Sequence, residues 1–493
     1  MNESENRWSR RHFIEATALA ASLAACGKAA EPPKKAPAPT PSPTPAAQAT
    51  PAATPAATPA ATPAPTPAQK LEALQLDDRP FKLGIIGCGS QATQNLMPAA
   101  LRMPGTTFTA VCDVIPARAQ LAQKLAGGKA KIYDDYKVLL KEADVDAVMI
   151  VTPLVFHWPM VAEAFKNGRH VFCEKTMAYT IDDCKAMLKA QAPSGKILQI
   201  GHHLRYHPLY QFALMHYLVN HQLLGKIHNV HCQWNRNGTW RKPPEPMEGL
   251  DFKKWGYDTA DEVLNWRLYR KYSGGLMTEL ASHQLDVVNW FLGDVLPDAV
   301  VGVGKTDNKD GRTIFDNVHL IYEYPDDVVV TYESITNNAF SPFGEAYEMF
   351  QGEEATLVMA HQGRYVGLYF IEPGVAEQLW MPAAHREKLA SPNMTQPVYK
   401  TPIVLNGTPS PGTRIEKVAN VIDMQNVMDI PNAQARMTTY EIEMLGFKKS
   451  VLDKTVPFCH GMVGLKSAIP ALMGLEAMEK QTRIVIPPTV ANL

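Results

Sequence analysis

Two groups of side chains in this 493-residue chain have the types and spacing that acid–base chemistry requires. Lys175 follows a short apolar run and could donate to a substrate oxygen and stabilise developing alkoxide charge. Farther along the chain, Glu279, His283 and Asp286 are spaced i, i+4 and i+7, which predicts one shared helical face. A histidine flanked by carboxylates is suited to general-base catalysis, because the acids orient the imidazole and stabilise its cation.

Both groups also have a purely structural interpretation. Lys175 could be a surface lysine that pairs with Glu174. His283 could be a satisfied core histidine with capping acids beside it, or the three spaced residues could ligate a metal ion. We expect no metal, because catalytic zinc usually needs three well-placed protein ligands and the sequence offers no further matching motif.

A glycine turn between two apolar runs predicts a bound dinucleotide. Residues 82–86 form the first run, a helical pattern follows the turn, and residues 108–112 form the second run, which ends in Asp113. Strand, glycine turn, helix, strand and acid in this order make up a dinucleotide-binding unit. The alternative is a doubly wound sheet that has lost its cofactor. The sequence of the turn is Gly87-Cys88-Gly89-Ser90-Gln91-Ala92.

Each residue of this unit has an expected role. Gly87 permits a tight turn, and Gly89 lets the backbone approach a pyrophosphate whose charge the following helix N-terminus favours. Asp113 would accept hydrogen bonds from ribose hydroxyls, which favours NAD, whereas Arg118 in the next helix leaves NADP open. The candidate cofactor contacts in this unit are Gly87, Gly89, Ser90, Gln91, Asp113 and Arg118.

Three further apolar runs, at 147–151, 170–173 and 197–201, end in polar residues. Open α/β sheets bind ligands beyond the carboxyl ends of their strands, so these tips predict more contacts in the same crevice. The cofactor contacts expected here are Thr152, Pro153, His157, Glu174 and Lys175, and the substrate contacts are Arg205 and Tyr206.

After Tyr206 the pattern changes to alternating, strand-like stretches on either side of a helix at 282–292. The predicted strands are 227–234, 299–303, 318–324, 328–333 and 356–359. We therefore predict an α/β fold with an N-terminal Rossmann doubly wound parallel sheet and a C-terminal α/β domain with a mostly antiparallel open sheet. The predicted boundaries are 71–204 for the dinucleotide-binding domain and 205–493 for a substrate and oligomerisation domain. A stretch rich in Pro, Asn and Gly, about 365–437, is expected to be a surface excursion.

Aromatic and arginine residues in the second domain are suited to a sugar. Arg236 and Trp240 follow one predicted strand, and Trp266 and Arg267 precede a glycine pair. Flat aromatic rings stack on sugar faces, and arginines bond to hydroxyl groups. Trp266 could equally be a core or interface residue. The substrate contacts predicted here are Trp266, Arg267 and Asp286.

The N-terminal residues predict export. Residues 9–14 match a twin-arginine signal, and the apolar stretch 16–25 is too short to span a bilayer. Leu23-Ala24-Ala25-Cys26 is typical of a lipobox, with a soluble signal and a chance cysteine as the alternative. We expect a signal at 1–26, a Pro/Ala/Thr-rich disordered tether at 27–70, and a periplasmic or outer-membrane-anchored lipoprotein attached only through Cys26. Twin-arginine export moves proteins that are already folded, so the cofactor can be inserted in the cytoplasm. Because little free nicotinamide cofactor is present outside the inner membrane, the dinucleotide should be held tightly.

The composition argues against two other classes. The chain has 48 basic and 49 acidic residues and no basic cluster with interleaved aromatics, so nucleic acid is not an expected partner. Apart from Cys26, six cysteines are scattered with no C-x-x-C pair, which indicates small core residues and not a disulfide framework.

Over about residues 80–340 the sequence resembles the Gfo/Idh/MocA oxidoreductases. The resemblance implies a Rossmann domain, a second domain whose open sheet covers the nicotinamide, sugar or cyclitol substrates, and a homo-oligomer, dimer or tetramer. It also implies that Lys175 is the lysine of the family's E-K-P motif, that His283 is the acid–base residue, and that Glu279 replaces an aspartate supporting it. The residues that carry it are Gly87, Gly89, Ala92, Thr152, Pro153, His157, Glu174, Lys175, Gly274, Gly275, Glu279, His283 and Asp286.

Two departures from the family pattern leave an alternative open. Thr176 replaces the usual proline of the E-K-P motif, and Glu279 is one methylene longer than the expected aspartate. A branch of the family resembles NAD-dependent glycosidases, which oxidise a sugar, eliminate the leaving group, add water and return the hydride. That branch generally lacks the lysine that is present here as Lys175, so we favour the oxidoreductase.

Overall fold

The computed structural model describes residues 74–215, 218, 222–247, 249–341, 343, 345–360 and 437–493, and the backbone of 367–371, 403–406 and 421–423. All of these belong to the compact unit Pro63–Leu493. The expected signal at 1–26 with its lipobox Cys26, the whole expected tether at 27–70, and nearly all of the expected excursion at 365–437 lie outside the described residues. None of the described helices is long and apolar enough to cross a membrane.

The first sheet is parallel, with strand order β3-β2-β1-β4-β5-β6, as the sequence predicted. The order reverses between β1 and β4, and at such a point the loops that leave the two strands diverge and open a crevice. Helices cover the sheet, so its strands are apolar and β4 is buried throughout. The strands are β1 Phe81–Ile86, β2 Thr106–Cys112, β3 Lys131–Tyr133, β4 Ala147–Ile150, β5 His170–Cys173 and β6 Leu198–Ile200. The helices are α1 Met97–Leu101, α2 Pro116–Leu125, α3 Tyr136–Glu142, α4 His157–Lys166 and α5 Ile181–Ser194.

The second sheet is mixed and mostly antiparallel, which confirms the predicted fold class. Its order is β15-β14-β13-β12-β11-β7-β10-β9-β8-β16, and only the pairs β7–β10 and β14–β15 are parallel among the described strands. The strands are β7 Ile227–Trp234, β8 Ala299–Lys305, β9 Asn317–Tyr324, β10 Val328–Ile335, β11 Ala346–Gly352, β12 Ala355–Met359, β13 Gly367–Ile371, β14 Ile403–Asn406, β15 Val421–Asp423 and β16 Ile484–Val485.

The C-terminal helices join the two sheets. The remaining helices are α6 Pro208–Ala213, α7 Ala260–Leu264, α8 Ser282–Phe291, α9 Thr439–Asp453 and α10 Gly461–Lys480. Helix α9 begins with a capping box at Thr438 and returns to the first sheet. There the Phe447 ring packs edge-on against Phe81 and Phe172, with centroids 6.1 and 5.7 Å away. The last helices therefore complete the core of the first domain.

Strand β11, which the sequence did not predict, carries a buried acid. Glu348 is fully buried, and one of its carboxyl oxygens accepts a hydrogen bond of 2.8 Å from the Tyr210 hydroxyl. Burial raises the pKa of this carboxyl to about 8. Above the ordinary carboxyl pKa the unfolded chain releases the proton of Glu348, whereas the folded protein keeps it until the pH approaches 8. The contribution of this group to the stability of the fold therefore decreases as the pH rises toward 8.

Glu348→Gln should remove this pH dependence, since the amide cannot ionise and its oxygen still accepts from Tyr210. Between about pH 5 and pH 8 the free energy of unfolding of the parent should fall relative to the variant, by at most about 1.4 kcal/mol per pH unit. Urea unfolding at both pH values measures this difference. The exposed carboxylate Glu142, changed to Gln, is the control. Parallel pH profiles for the parent and Glu348→Gln would show that Glu348 is not the responsible group.

Candidate active site

A cavity of about 880 Å³ lies at the carboxyl edge of the first sheet and is walled on its other side by the second domain. Most of the side chains expected to bind cofactor or substrate line it. Those that do are Gly87, Gly89, Ser90, Gln91, Asp113, Arg118, Thr152, Pro153, His157, Glu174, Lys175, Trp266, Arg267, Glu279 and His283.

The glycine turn leaves room at one end of the cavity. Gly87 has φ +90°, and a Cβ there would lie 2.5 Å from the Val151 carbonyl oxygen. Gly89 differs, because a Cβ built on it would meet no described atom within 4 Å. This open space beside the backbone fits the close approach of a pyrophosphate, so the turn suits a dinucleotide.

The two glycines should respond differently to the same substitution. Gly87→Ala should destabilise the fold by about 2 kcal/mol or more, because of the left-handed backbone and the clash with Val151. Gly89→Ala should leave the melting temperature of the cofactor-free protein unchanged and weaken NAD binding about tenfold or more, since its methyl group occupies the ligand's space. Thermal unfolding and NAD titration measure the two effects. Normal NAD affinity in Gly89→Ala would contradict the assignment of the turn.

Asp113 holds the neighbouring loops together. Its carboxylate accepts hydrogen bonds from the Cys88 N–H at 2.7 Å and the Ile115 N–H at 2.8 Å, so it ties the glycine turn to the loop after β2. Removal from bulk water raises the pKa of this carboxyl. The neighbouring Arg118 side chain contacts the Glu245 carboxylate at 3.1 Å, and that contact crosses from the first domain to the second.

Lys175 lies at the tip of β5 and is not a surface lysine paired with Glu174. Its Nζ donates to the Glu279 carbonyl at 2.8 Å, while its backbone N–H donates to the Glu174 carboxylate at 3.1 Å. Glu174 also accepts from the Gln91 amide at 3.0 Å. The peptide bond between Lys175 and Thr176 is cis. Burial lowers the pKa of the Lys175 ammonium, which makes it a better proton donor than an exposed lysine.

The buried His157 side chain contacts the backbone of the loop that carries Lys175. Its Nδ1 lies 3.0 Å from the Thr176 carbonyl, and its Nε2 lies 3.0 Å from the Thr152 carbonyl. Burial lowers the pKa of its imidazole. The ring therefore bridges the loops after β4 and β5 and positions the backbone on either side of the lysine.

The predicted stripe of Glu279, His283 and Asp286 is broken by a π-helical turn at Met277–Ala281, directly before α8. The wider turn changes the angular spacing, so the three side chains do not share one face. The Glu279 carboxylate accepts from Arg267 Nε at 2.9 Å and the Ser273 hydroxyl at 3.1 Å. π-Helical turns often occur at functional sites.

His283 lies in a ring of aromatic side chains at the cavity wall. Its ring centroid is 5.0 Å from that of His203 and 5.7 Å from that of Trp234. His203 in turn stacks on Tyr440 of α9, with centroids 4.8 Å apart. Tyr440 also lines the cavity, and sequence reasoning missed it because nothing local links α9 to a site built more than 150 residues earlier.

Arg205, Tyr206 and Asp286 do not line the cavity, which corrects their prediction as substrate contacts. The chain after β6 turns inward, and all three side chains are buried. Arg205 Nε donates to the Asp286 carboxylate at 2.9 Å, and the Tyr206 hydroxyl accepts from the Cys459 N–H at 3.3 Å. Although burial alone would raise it, the Arg205 charge holds the pKa of Asp286 below its usual value. These residues join α8 to the loop after β6.

Residues 240–247 and 249–272 of the second domain contribute many of the side chains that line the cavity, and we call them the strap. Its Tyr257 packs edge-on against Phe156 of the first domain at 5.5 Å and contacts Ile115 in a shared apolar cluster. Sequence reasoning missed the strap residues that line the cavity between the two domains, since only their aromatic and basic character hints at a ligand. These are Lys242, Lys254, Trp255, Gly256, Tyr257 and Val263.

Across the described ranges, no group of three or more His, Cys, Asp or Glu side chains is placed to hold a metal ion. Two of the three spaced residues considered as ligands pair with arginines instead: Asp286 pairs with Arg205, and Glu279 pairs with Arg267.

Comparisons with known proteins agree with this architecture. Residues 81–202 match the model of the Gfo/Idh/MocA oxidoreductase family, NAD-binding Rossmann fold, and residues 217–398 match its C-terminal alpha/beta domain. The inositol 2-dehydrogenase of Salmonella typhimurium is 35% identical over 215 residues, which is 42% of this chain and 63% of that protein. The inositol 2-dehydrogenase/D-chiro-inositol 3-dehydrogenase of Lactiplantibacillus plantarum is 26% identical over 214 residues, 43% of this chain and 53% of that protein. The chain thus spans less than two thirds of these relatives.

Solved structures share the fold at lower identity. The aldose-aldose oxidoreductase from Caulobacter crescentus gives a TM-score of 0.59 at 19% identity, over 83% of this chain and all of that one. The scyllo-inositol dehydrogenase from Lactobacillus casei with NAD(H) and scyllo-inositol gives a TM-score of 0.56 at 19% identity, over 83% of this chain and 99% of that one.

Both domain models of the family match in order, over 122 and 182 residues. The chain therefore belongs to the Gfo/Idh/MocA family of oxidoreductases and has its NAD-binding Rossmann domain.

Proposed function

We propose that this protein transfers a hydride between NAD and a sugar-like or cyclitol substrate. The observation that carries the proposal is that Lys175 and His283 line the same cavity as the glycine turn. Lys175 bonds to the carbonyl of Glu279, four residues before His283, so the two candidate groups lie on neighbouring parts of one wall.

The side chains have complementary roles in such a reaction. NAD, when bound, supplies the hydride acceptor or donor. His283 would take the proton from a substrate hydroxyl in the oxidative direction. Lys175, with its proton made more acidic by burial, would donate to the same oxygen and stabilise its developing negative charge. Glu279 holds Arg267 at the cavity wall, where it can orient the substrate.

NAD is the cofactor we favour over NADP. Asp113 places a carboxylate where the adenosine ribose is expected, and a carboxylate disfavours a ribose phosphate. Arg118, which could have offset this effect, already contacts Glu245 of the strap at 3.1 Å. The strap also packs over the first domain, which supports a tightly held cofactor.

The substrate class rests on the side chains of the wall and on the names of relatives. Trp266 carries the Arg267 guanidinium over its ring at 4.2 Å, and such a flat surface suits the face of a sugar or cyclitol ring. Several relatives are inositol dehydrogenases by name, and one similar structure is a levoglucosan dehydrogenase with NADH and levoglucosan, at 17% identity. The second candidate, a glycosidase that uses the hydride transiently, would need the same cavity.

Export and oligomerisation are further parts of the proposal. The paired arginines Arg10 and Arg11 and the lipobox ending at Cys26 support a periplasmic or outer-membrane lipoprotein. The outer face of the second sheet supports a homo-oligomer, dimer or tetramer, because it exposes a stripe of apolar side chains. These are Val301, Val303, Ile321 and Val329, with exposed fractions of 39, 59, 47 and 38%.

One experiment separates the candidate functions. The protein is purified without added cofactor, its bound nicotinamide is assayed, and it is then mixed with free sugars, cyclitols and chromogenic glycosides. We expect copurified NAD and a change in nicotinamide absorbance with a free sugar or cyclitol. Release of the aglycone without net cofactor change would identify the glycosidase instead. A protein with no bound dinucleotide and no response to any compound would overturn both.

A further inference from the structure

Two arginines of the second domain contribute to the cavity wall. Arg236 and Arg267 both line it, with 31% and 34% of their side chains exposed. The charge of Arg267 helps lower the pKa of Arg236, after burial, which means that the two like charges lie close enough to repel. Like charges held together at a cavity wall are stabilised by an anion between them.

The acids of the described chain neutralise these arginines only in part. The Arg267 Nε bonds to the Glu279 carboxylate at 2.9 Å, and its remaining N–H groups have no hydrogen-bond acceptor among the described residues. The Arg236 Nε lies 3.7 Å from the Glu345 carboxylate, beyond hydrogen-bond distance, and Glu345 is 40% exposed. Both guanidinium groups therefore offer donors to the cavity, and of the two only Arg267 is hydrogen-bonded to a described carboxylate.

Each of the two guanidinium groups lies over the ring of a tryptophan. The Arg236 guanidinium lies over Trp240 at 5.1 Å, and that of Arg267 lies over Trp266 at 4.2 Å. Trp240 has φ +62°, a left-handed conformation that is strained for a bulky side chain. Strain of this kind persists where the surroundings enforce it, often at ligand sites. The Trp240 ring is therefore held in place beside the Arg236 guanidinium, which it orients.

We propose that the substrate is a sugar carrying an oxyanion, as a carboxylate or a phosphate, and that Arg236 and Arg267 bind this group. The inference rests on the proposed function, since it assigns a substrate class to the same cavity. Planar guanidinium forks match both kinds of oxyanion through paired hydrogen bonds. The cofactor's own pyrophosphate is expected at the glycine turn, so we assign this pair of arginines to the substrate.

The test compares matched neutral and anionic probes on the cofactor-loaded protein. Methyl α-D-glucoside, methyl α-D-glucuronide and glucose 6-phosphate are titrated by calorimetry, and their turnover is followed by nicotinamide absorbance. We expect at least one anionic probe to bind about tenfold more tightly than the glucoside, because a charged hydrogen bond replaces an unsatisfied donor. Which anion binds better distinguishes a carboxylate from a phosphate. Equal affinity for all three probes would overturn the proposal.

A variant pair assigns the effect to the arginine. In Arg236→Gln the ratio of the affinity for the anionic probe to that for the neutral probe should fall about tenfold or more. The control is Arg483→Gln, which removes an exposed arginine paired with Glu323 and should keep the parent ratio. If Arg236→Gln does not fold, the salt dependence of the parent decides: anion affinity must weaken with added salt while glucoside affinity does not. Preferential binding of an anionic probe without any hydride transfer would contradict the proposed function but support the oxyanion subsite. Turnover without any preference for an anionic probe would support the proposed function and contradict the subsite.

Discussion

Replacing His283 with alanine should lower the rate of substrate turnover by about 100-fold or more, because the general base that accepts the hydroxyl proton is lost. The imidazole lies at the cavity wall between the rings of His203 and Trp234. Alanine removes the ring without touching the glycine turn, so NAD binding should be retained. Steady-state kinetics with nicotinamide absorbance, alongside an NAD titration, measures both quantities.

The matched control is His228→Ala, which removes an exposed histidine that contacts Glu353 outside the cavity. Its turnover should equal that of the parent. Turnover of His283→Ala close to the parent value would exclude this histidine from the mechanism. A parallel loss of melting temperature and NAD affinity would instead indicate that the ring serves the fold.

Lys175→Met should lower turnover by roughly 100- to 1000-fold, as expected when a positioned donor to a developing oxyanion is removed. Methionine keeps an unbranched apolar stem but cannot donate to the substrate oxygen or to the Glu279 carbonyl. Because burial lowers the pKa of this ammonium, parent activity should fall as the pH rises through that lowered value, since only the protonated lysine donates. The variant should lack this basic limb of the pH profile.

Lys189→Met, on the exposed side of α5, is the control and should retain both the parent rate and its pH profile. The loss of the hydrogen bond to the Glu279 carbonyl could also weaken the wall, so thermal unfolding is measured for both variants. A pH profile that is unchanged in Lys175→Met would assign the lysine a structural task. An unchanged rate would remove it from catalysis altogether.

The sequence predicted the parts of the molecule whose signals are local. The glycine turn, its flanking strands and the acid at 113 lie within about 30 residues, so their pattern reflects a single supersecondary unit. Strand β7 was predicted from its alternation, and the structure gives it the same bounds, Ile227–Trp234. Strand β11 was missed because Glu348 interrupts its apolar pattern, although that acid is buried and bonded to Tyr210.

Features that depend on tertiary contacts could not be predicted in this way. The i, i+4, i+7 rule assumes a regular α-helix, and the π-helical turn at Met277–Ala281 separates Glu279 from the face that carries Asp286. Arg205 follows a strand tip, as a ligand contact would, but its charge is taken up by a buried acid 81 residues later. Tyr440 reaches the cavity only because α9 folds back onto the first sheet.

The return of α9 to the first sheet has a consequence for synthesis on the ribosome. Phe81 and Phe172 emerge early, yet their packing partner Phe447 lies 275 residues after Phe172 and 366 residues after Phe81 in the sequence. Until then the nascent first domain lacks part of its core, and the cavity lacks the wall formed by Tyr440. A polypeptide terminated before α9 would therefore expose those rings to chaperones and proteases, and it would also lack the Tyr440 side of the ligand site.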